Sequence, residues 1–166
     1  MTRAAGCLTC EQESSLDTAL PWQRIALDDD WRVTHSFNTC LPGWLVLLPR
    51  RHVLTIAELT DREARSLGVW LVRLSRAPRA VTGRVKTAQF AEADGLPVWC
   101  THVHVHVVPR TAELAGGAPR PPSVRHDRPP ETSVGAEEMD TLAHALSRQL
   151  NYRTSPHPPL GQIIDC

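Results

Sequence analysis

Thr101-His102-Val103-His104-Val105-His106-Val107-Val108-Pro109-Arg110 is the stretch on which the reading of this chain turns. Apolar and imidazole side chains alternate along it, and in an extended strand successive side chains leave on opposite faces. Val103, Val105 and Val107 therefore enter one layer, and His102, His104 and His106 line the other face. A row of imidazoles makes a poor core, because each ring carries two polar nitrogens that need partners. Three readings stand. The row is the outward face of a half-exposed strand. Or all three rings hold one metal, although His102 and His106 lie roughly 13 Å apart along a strand and metal–nitrogen bonds span about 2 Å. Or labour is divided between one nucleophile and two helpers, since a neutral imidazole attacks phosphorus competently near neutral pH.

The flanks predict an α+β domain: a mostly antiparallel sheet with packed helices. Gly83 to Ala93 reads as a neighbouring strand. Before it, Thr60 and Glu63 form a capping box. Ala64, Leu67, Gly68, Leu71, Val72 and Leu74 then recur at helical spacing to about Arg76, where Pro78 is the expected stop. Trp44 to Leu48 is a continuous apolar strand between the Leu41-Pro42-Gly43 turn and Pro49. Trp22 to Leu27 and Trp31 to Phe37 read as a hairpin around Asp28-Asp29-Asp30. Downstream, Thr111 to Val134 carries Gly116-Gly117 and five prolines between Pro119 and Pro130, which predicts a mobile flap at the exit of the histidine strand. Glu137 to Leu150 reads as a closing helix with Leu142, Ala145, Leu146 and Gln149 on one side. Residues 1–153 are expected to form one domain and 154–166 a loosely attached tail.

The 166 residues allow one domain of ordinary size, and a composition 42% hydrophobic and 22% charged is that of a globular protein. Eighteen basic residues balance eighteen acidic ones, so nothing points to a polyanion binder and no nucleic-acid partner is expected. No apolar run reaches the length of a membrane span. The first ten residues lack the apolar stretch of a secretory signal, so a cytoplasmic location is expected. Five cysteines there would stay reduced; Cys40, Cys100 and Cys166 are scattered, whereas Cys7-Leu8-Thr9-Cys10 has a chelating as well as a redox spacing.

The run from His102 to Val108 matches His-φ-His-φ-His-φ-φ, with φ apolar, and so resembles the histidine triad nucleotide hydrolases and transferases. Upstream, Pro42-Gly43-Trp44 running to Pro49-Arg50-Arg51-His52 resembles that family's Pro-Gly-His strand and its following Pro-x-x-His segment. The resemblance implies nucleotidyl transfer through a covalent histidine. His104 is then the nucleophile at the α-phosphorus, His106 stabilises charge on the phosphate and leaving group, and His102 orients His104. Histidine rather than glutamine at position 106 leans the chain toward hydrolysis. The zinc-binding bacterial branch implies a structural zinc held by Cys7, Cys10, His52 and His102, two thiolates with two imidazoles making a closed tetrahedral set. The family's ribose-binding Asp or Asn is replaced by His35, and Leu96-Pro97-Val98-Trp99-Cys100 stands where the family has a Gly-x-Ser or Gly-x-Thr turn before the triad, so only Thr101 offers a hydroxyl for phosphate. The expected partner is a small-molecule nucleotide, with a dinucleoside polyphosphate or a nucleoside phosphoramidate as substrate. The family is often dimeric, but no stripe here identifies an interface. Two other readings stay open: a nucleotide-binding scaffold without turnover, and a biosynthetic nucleotidyltransferase.

Overall fold

The computed structural model describes residues 4–37, 39–82, 85–91, 102–110 and 133–152. Five antiparallel strands form one sheet: β1 (Ala26–Leu27), β2 (Trp31–His35), β3 (Leu45–Pro49), β4 (Val85–Ala91) and β5 (His104–Arg110), in the order β1-β2-β3-β5-β4. Among the described residues three α-helices accompany it: α1 (Leu8–Ser14), α2 (Asp61–Thr82) and α3 (Ala136–Tyr152). The α+β expectation holds, and no helix among these residues is long and apolar enough to cross a membrane.

The alternation in β5 divides the sheet as expected. Val105 and Val107 join Val33, Leu45 and Leu47 in the core under α2 and α3, where Trp70, Leu74, Ala77, Ala143, Leu146 and Leu150 meet them. The other face carries His104 and His106 beside a smaller cluster of Trp44, Val46, Leu48 and Val108. Burying one apolar row against two helices fixes the register, because a slip of one residue would turn the imidazoles into the core.

Several boundaries differ from the expectation. Strand β5 begins at His104, so His102 lies in a bend ahead of it and is free of the strand's alternation. The first hairpin arm shrinks to Ala26–Leu27, because Pro21–Gln23 makes a short 3-10 turn in which the Trp22 amide donates to Asp140 of α3. Asp28 still organises the turn, its Oδ1 accepting from the amides of Asp30 and Trp31. Helix α2 runs through Pro78 to Thr82. The proline forfeits one backbone bond, but Ala77 before it and Val81 after it both pack on the core and hold the helical path. The buried face of α2 runs through Glu63, Trp70, Leu74 and Ala77, while Ala64, Gly68 and Val72 are exposed. Apolar residues occur all round this helix, so its spacing alone could not choose the face. In α3 the buried row is Met139, Ala143, Leu146 and Leu150, rotated from the expected stripe but sharing Leu146. The expected strand ends at residues 83–84 and 92–93, the expected flap over 111–132 and the expected tail lie outside the described residues.

Candidate active site and metal centre

Two chelating cysteines come from the start of α1. Gly6, at φ 76, turns the chain, Cys7 caps the helix and Cys10 follows three residues on, on the same side. His52 lies beyond the end of β3 and His102 just before β5; the Val103 amide donates to the Val53 carbonyl at 2.7 Å and holds these two segments side by side. Cys7, Cys10, His52 and His102 thereby bring one ligand atom each to within 4.8 Å of one another. His52 Nδ1 lies 3.3 Å from Cys10 Sγ, and His102 Nδ1 lies 3.6 Å from Cys7 Sγ and 3.9 Å from Cys10 Sγ. Bonds of about 2.0 Å to nitrogen and 2.3 Å to sulfur set ligand atoms at similar separations around a tetrahedral zinc.

The protonation pattern fits the same ion. His102 Nε2 lies 2.9 Å from the Pro49 carbonyl, which can only accept, so the proton sits on Nε2 and Nδ1 turns a lone pair toward the thiols. Burial holds the His102 pKa down to about 4 against the pull of that carbonyl, which keeps the ring neutral, as a ligand must be. Burial pushes the Cys7 thiol up, so this enclosed sulfur calls for a cation to become a thiolate. The four residues fit a structural zinc.

Two ionic clamps support this corner. Glu13 of α1 receives Arg32 Nε at 3.1 Å and Arg50 Nε at 2.6 Å, tying the cysteine helix to β2 and to the end of β3. Arg51, beside His52, pairs with Glu63 at 2.7 Å, and Glu63 closes the expected capping box by accepting from the Thr60 amide. Burial alone would raise the Glu63 pKa, but Arg51 and Thr60 together bring it down to about 2.

The remaining two imidazoles differ in tautomer. His104 Nδ1 donates to the His102 carbonyl at 2.7 Å, which leaves Nε2 with a lone pair. His106 Nδ1 accepts the indole N–H of Trp44 at 2.9 Å, so its one proton sits on Nε2. The two rings meet edge to face, their centroids 4.7 Å apart. Burial lowers the pKa of both, that of His106 to about 3 with a further push from His104. Side by side, the sheet thus carries a basic nitrogen able to attack an electrophile and a neutral N–H able to bind developing negative charge.

The structure gives His35 a different role from the one expected. It is fully buried, Nδ1 donates to the Ser36 carbonyl and Nε2 accepts the Gly43 amide, so it clamps the Pro42-Gly43 turn and has no nitrogen to offer a ribose. Gly43 sits at φ 80, which the turn requires, and the Trp44 amide closes it on Leu41. Thr101 lies outside the described residues. Trp44, a strand residue in the sequence pattern, is the functional partner that the pattern does not single out. The available signal was that an indole N–H in an apolar strand needs a partner, and that it stands where the resemblance has histidine.

No family model matches the sequence, and no curated protein does. Solved structures do match. A zinc-bound histidine triad family protein from Mycobacterium smegmatis superposes with a TM-score of 0.62 at 21% identity, over 88% of this chain and 96% of that one. A histidine triad protein from Bradyrhizobium japonicum gives 0.58 at 25% identity, over 76% and 89%. Diadenosine triphosphate hydrolase from Plasmodium falciparum, in complex with cyclomarin A, gives 0.59 at 15% identity, over 80% and 79%. The chain has the histidine triad fold. Within that fold it carries the four-residue cluster that fits zinc.

Proposed function

We propose that this protein is a nucleotide hydrolase that cleaves a phosphoanhydride or phosphoramidate bond to a nucleoside monophosphate through a covalent nucleotidyl-histidine intermediate. One observation carries the reading: the His104 Nδ1–H bond to the His102 carbonyl, which keeps Nε2 unprotonated. His104 Nε2 attacks the α-phosphorus, a P–N bond forms, and the bond to the leaving group breaks. Water then attacks the same phosphorus, the P–N bond breaks, and the nucleoside monophosphate departs with His104 restored. His106 Nε2–H stabilises the charge that builds on the phosphate and the leaving group. His102 orients His104 through its carbonyl while its ring belongs to the metal set, and Thr101 is the hydroxyl proposed for phosphate. Cys7, Cys10, His52 and His102 would hold a metal that, when bound, would supply folding free energy and not an activated water.

The similarity to a diadenosine triphosphate hydrolase supports beginning with dinucleoside polyphosphates. The test is a panel of these, nucleoside phosphoramidates and acyl adenylates, each assayed for release of nucleoside monophosphate. Release from at least one class is expected. Tight binding without release throughout would replace the hydrolase with a nucleotide-binding scaffold, and transfer of the nucleotidyl group to an added acceptor would replace it with a transferase.

A further inference from the structure

The hydrogen-bond partner of His106 is Trp44. An indole N–H donates a hydrogen bond and never accepts one. Trp44 is buried among Leu41, Val46, Leu48 and Val108, and its N–H lies 2.9 Å from His106 Nδ1 with the two rings edge to face. An imidazole acting as a general acid normally starts as the cation, with a proton on each nitrogen. That state would point the His106 Nδ1–H straight at the Trp44 N–H, two donors face to face with the existing hydrogen bond lost. A neutral His106 cannot take the acid's role either, since giving up its Nε2 proton would leave an imidazolate.

We propose that Trp44 is a positioning residue that holds His106 as a neutral Nε2–H donor, and that the site therefore expels leaving groups that depart as anions. The favoured substrates are phosphoanhydrides and mixed phosphate–carboxylate anhydrides, not phosphoramidates of basic amines. This rests on the reading of His104 as nucleophile. In the anhydride reaction the His104 Nε2 electron pair forms the P–N bond, and the P–O pair leaves with the phosphate or carboxylate, whose charge the His106 N–H binds. No proton has to move in that step. An amine differs, because its nitrogen must be protonated before the P–N bond to it breaks, and His106 has no proton to spare. The inference narrows the two bond types of the proposed function to one.

The experiment compares two substrates sharing one nucleoside, a dinucleoside triphosphate and an N-alkyl phosphoramidate, in the zinc-replete full chain. The expected result is a kcat for the anhydride above that for the phosphoramidate by about 100-fold or more, the lower range of what a general acid contributes. Trp44→His substitutes a ring that can accept as well as donate; it should narrow that ratio about tenfold by raising the phosphoramidate kcat. Nitrogen-15 NMR of wild-type His106 should show the Nε2–H tautomer alone, and Trp44→Phe, which keeps an aromatic ring and removes the donor, should show a mixture. Comparable rates on the two substrates overturn the leaving-group preference. An Nδ1–H tautomer in wild type, or an unchanged tautomer in Trp44→Phe, overturns the positioning role. Cleavage of neither substrate overturns the hydrolase reading and the preference with it, while the NMR result still decides the role of Trp44.

Discussion

Three imidazoles spaced two residues apart acquire three roles because each has a different partner. His102 gives its proton to the Pro49 carbonyl and turns Nδ1 to the cysteines. His104 gives its proton to the His102 carbonyl and keeps Nε2 bare. His106 accepts from Trp44 and presents an N–H. His104 is the proposed nucleophile and among the described residues its ring hydrogen-bonds only the nearby His102 carbonyl, so His104→Asn should abolish turnover while the thermal melt and nucleotide binding change little. Rapid quench of wild type with labelled substrate should trap phosphorus on His104, and an Asn variant as fast as wild type would rule the covalent route out. The pH profile follows from the sign of the shift. Burial lowers the His104 pKa, so the ring becomes a cation only below the ordinary value of about 6.5. The acid limb of kcat/KM should therefore have its midpoint below that value, and a midpoint at or above it would contradict a nucleophile in this environment.

Helix α1 is seven residues long, too short to persist alone, and it holds its place through what it touches. Besides its cysteines it offers Glu13, wedged between Arg32 and Arg50. Arg32 is fully buried; burial presses its pKa down, and the Glu13 charge opposes that. Glu13→Gln would leave an uncompensated guanidinium inside, which costs about 3 kcal/mol. Arg50→Ala should cost less, since Arg50 is partly solvated and the Arg32–Glu13 pair survives it. Urea unfolding of the zinc-loaded variants measures both. A loss under about 1 kcal/mol for Glu13→Gln, the range of an exposed pair, would mean that the thiol and imidazole contacts alone dock the helix. The clamp was not legible beforehand, because Glu13, Arg32 and Arg50 sit on three separate segments and none belongs to a recognisable pattern.

At the scale of the whole molecule, the metal set closes the chain on itself, joining residues 7 and 10 to residues 52 and 102 across the sheet. Purified protein should carry about one zinc per chain. Chelation should lower the melting temperature, and Cys7→Ser should reduce stability more than it slows the chemical step, because the ion contributes folding free energy. Elemental analysis without zinc, in protein made with zinc present, would sink this. The architecture around the site was largely legible in the sequence. A strand alternating valine with histidine has only one way to bury its apolar face, so the sheet's core side and the placing of His104 and His106 on the other face followed from local periodicity. Cys7 and Cys10 were readable as a chelating pair from their spacing, and His52 and His102 joined them through the resemblance to the zinc-binding branch. Other features belong to tertiary structure alone. Which face of α2 is buried depended on the sheet it met, since Val69 and Val72 on its exposed side are as apolar as its core row. The resemblance points to His35 as a ribose contact, whereas in the fold it clamps a turn, because its two nitrogens find partners that only the folded β2–β3 connection supplies. The tautomers of His102, His104 and His106 depend on a carbonyl 53 residues away, a carbonyl two residues away and an indole 62 residues away. Residue type and spacing determined that His104 and His106 would share a face; where His102 and His106 carry their protons was decided by hydrogen-bond partners that meet them only once the strands are paired, because a neutral imidazole has one proton and its neighbours choose the nitrogen.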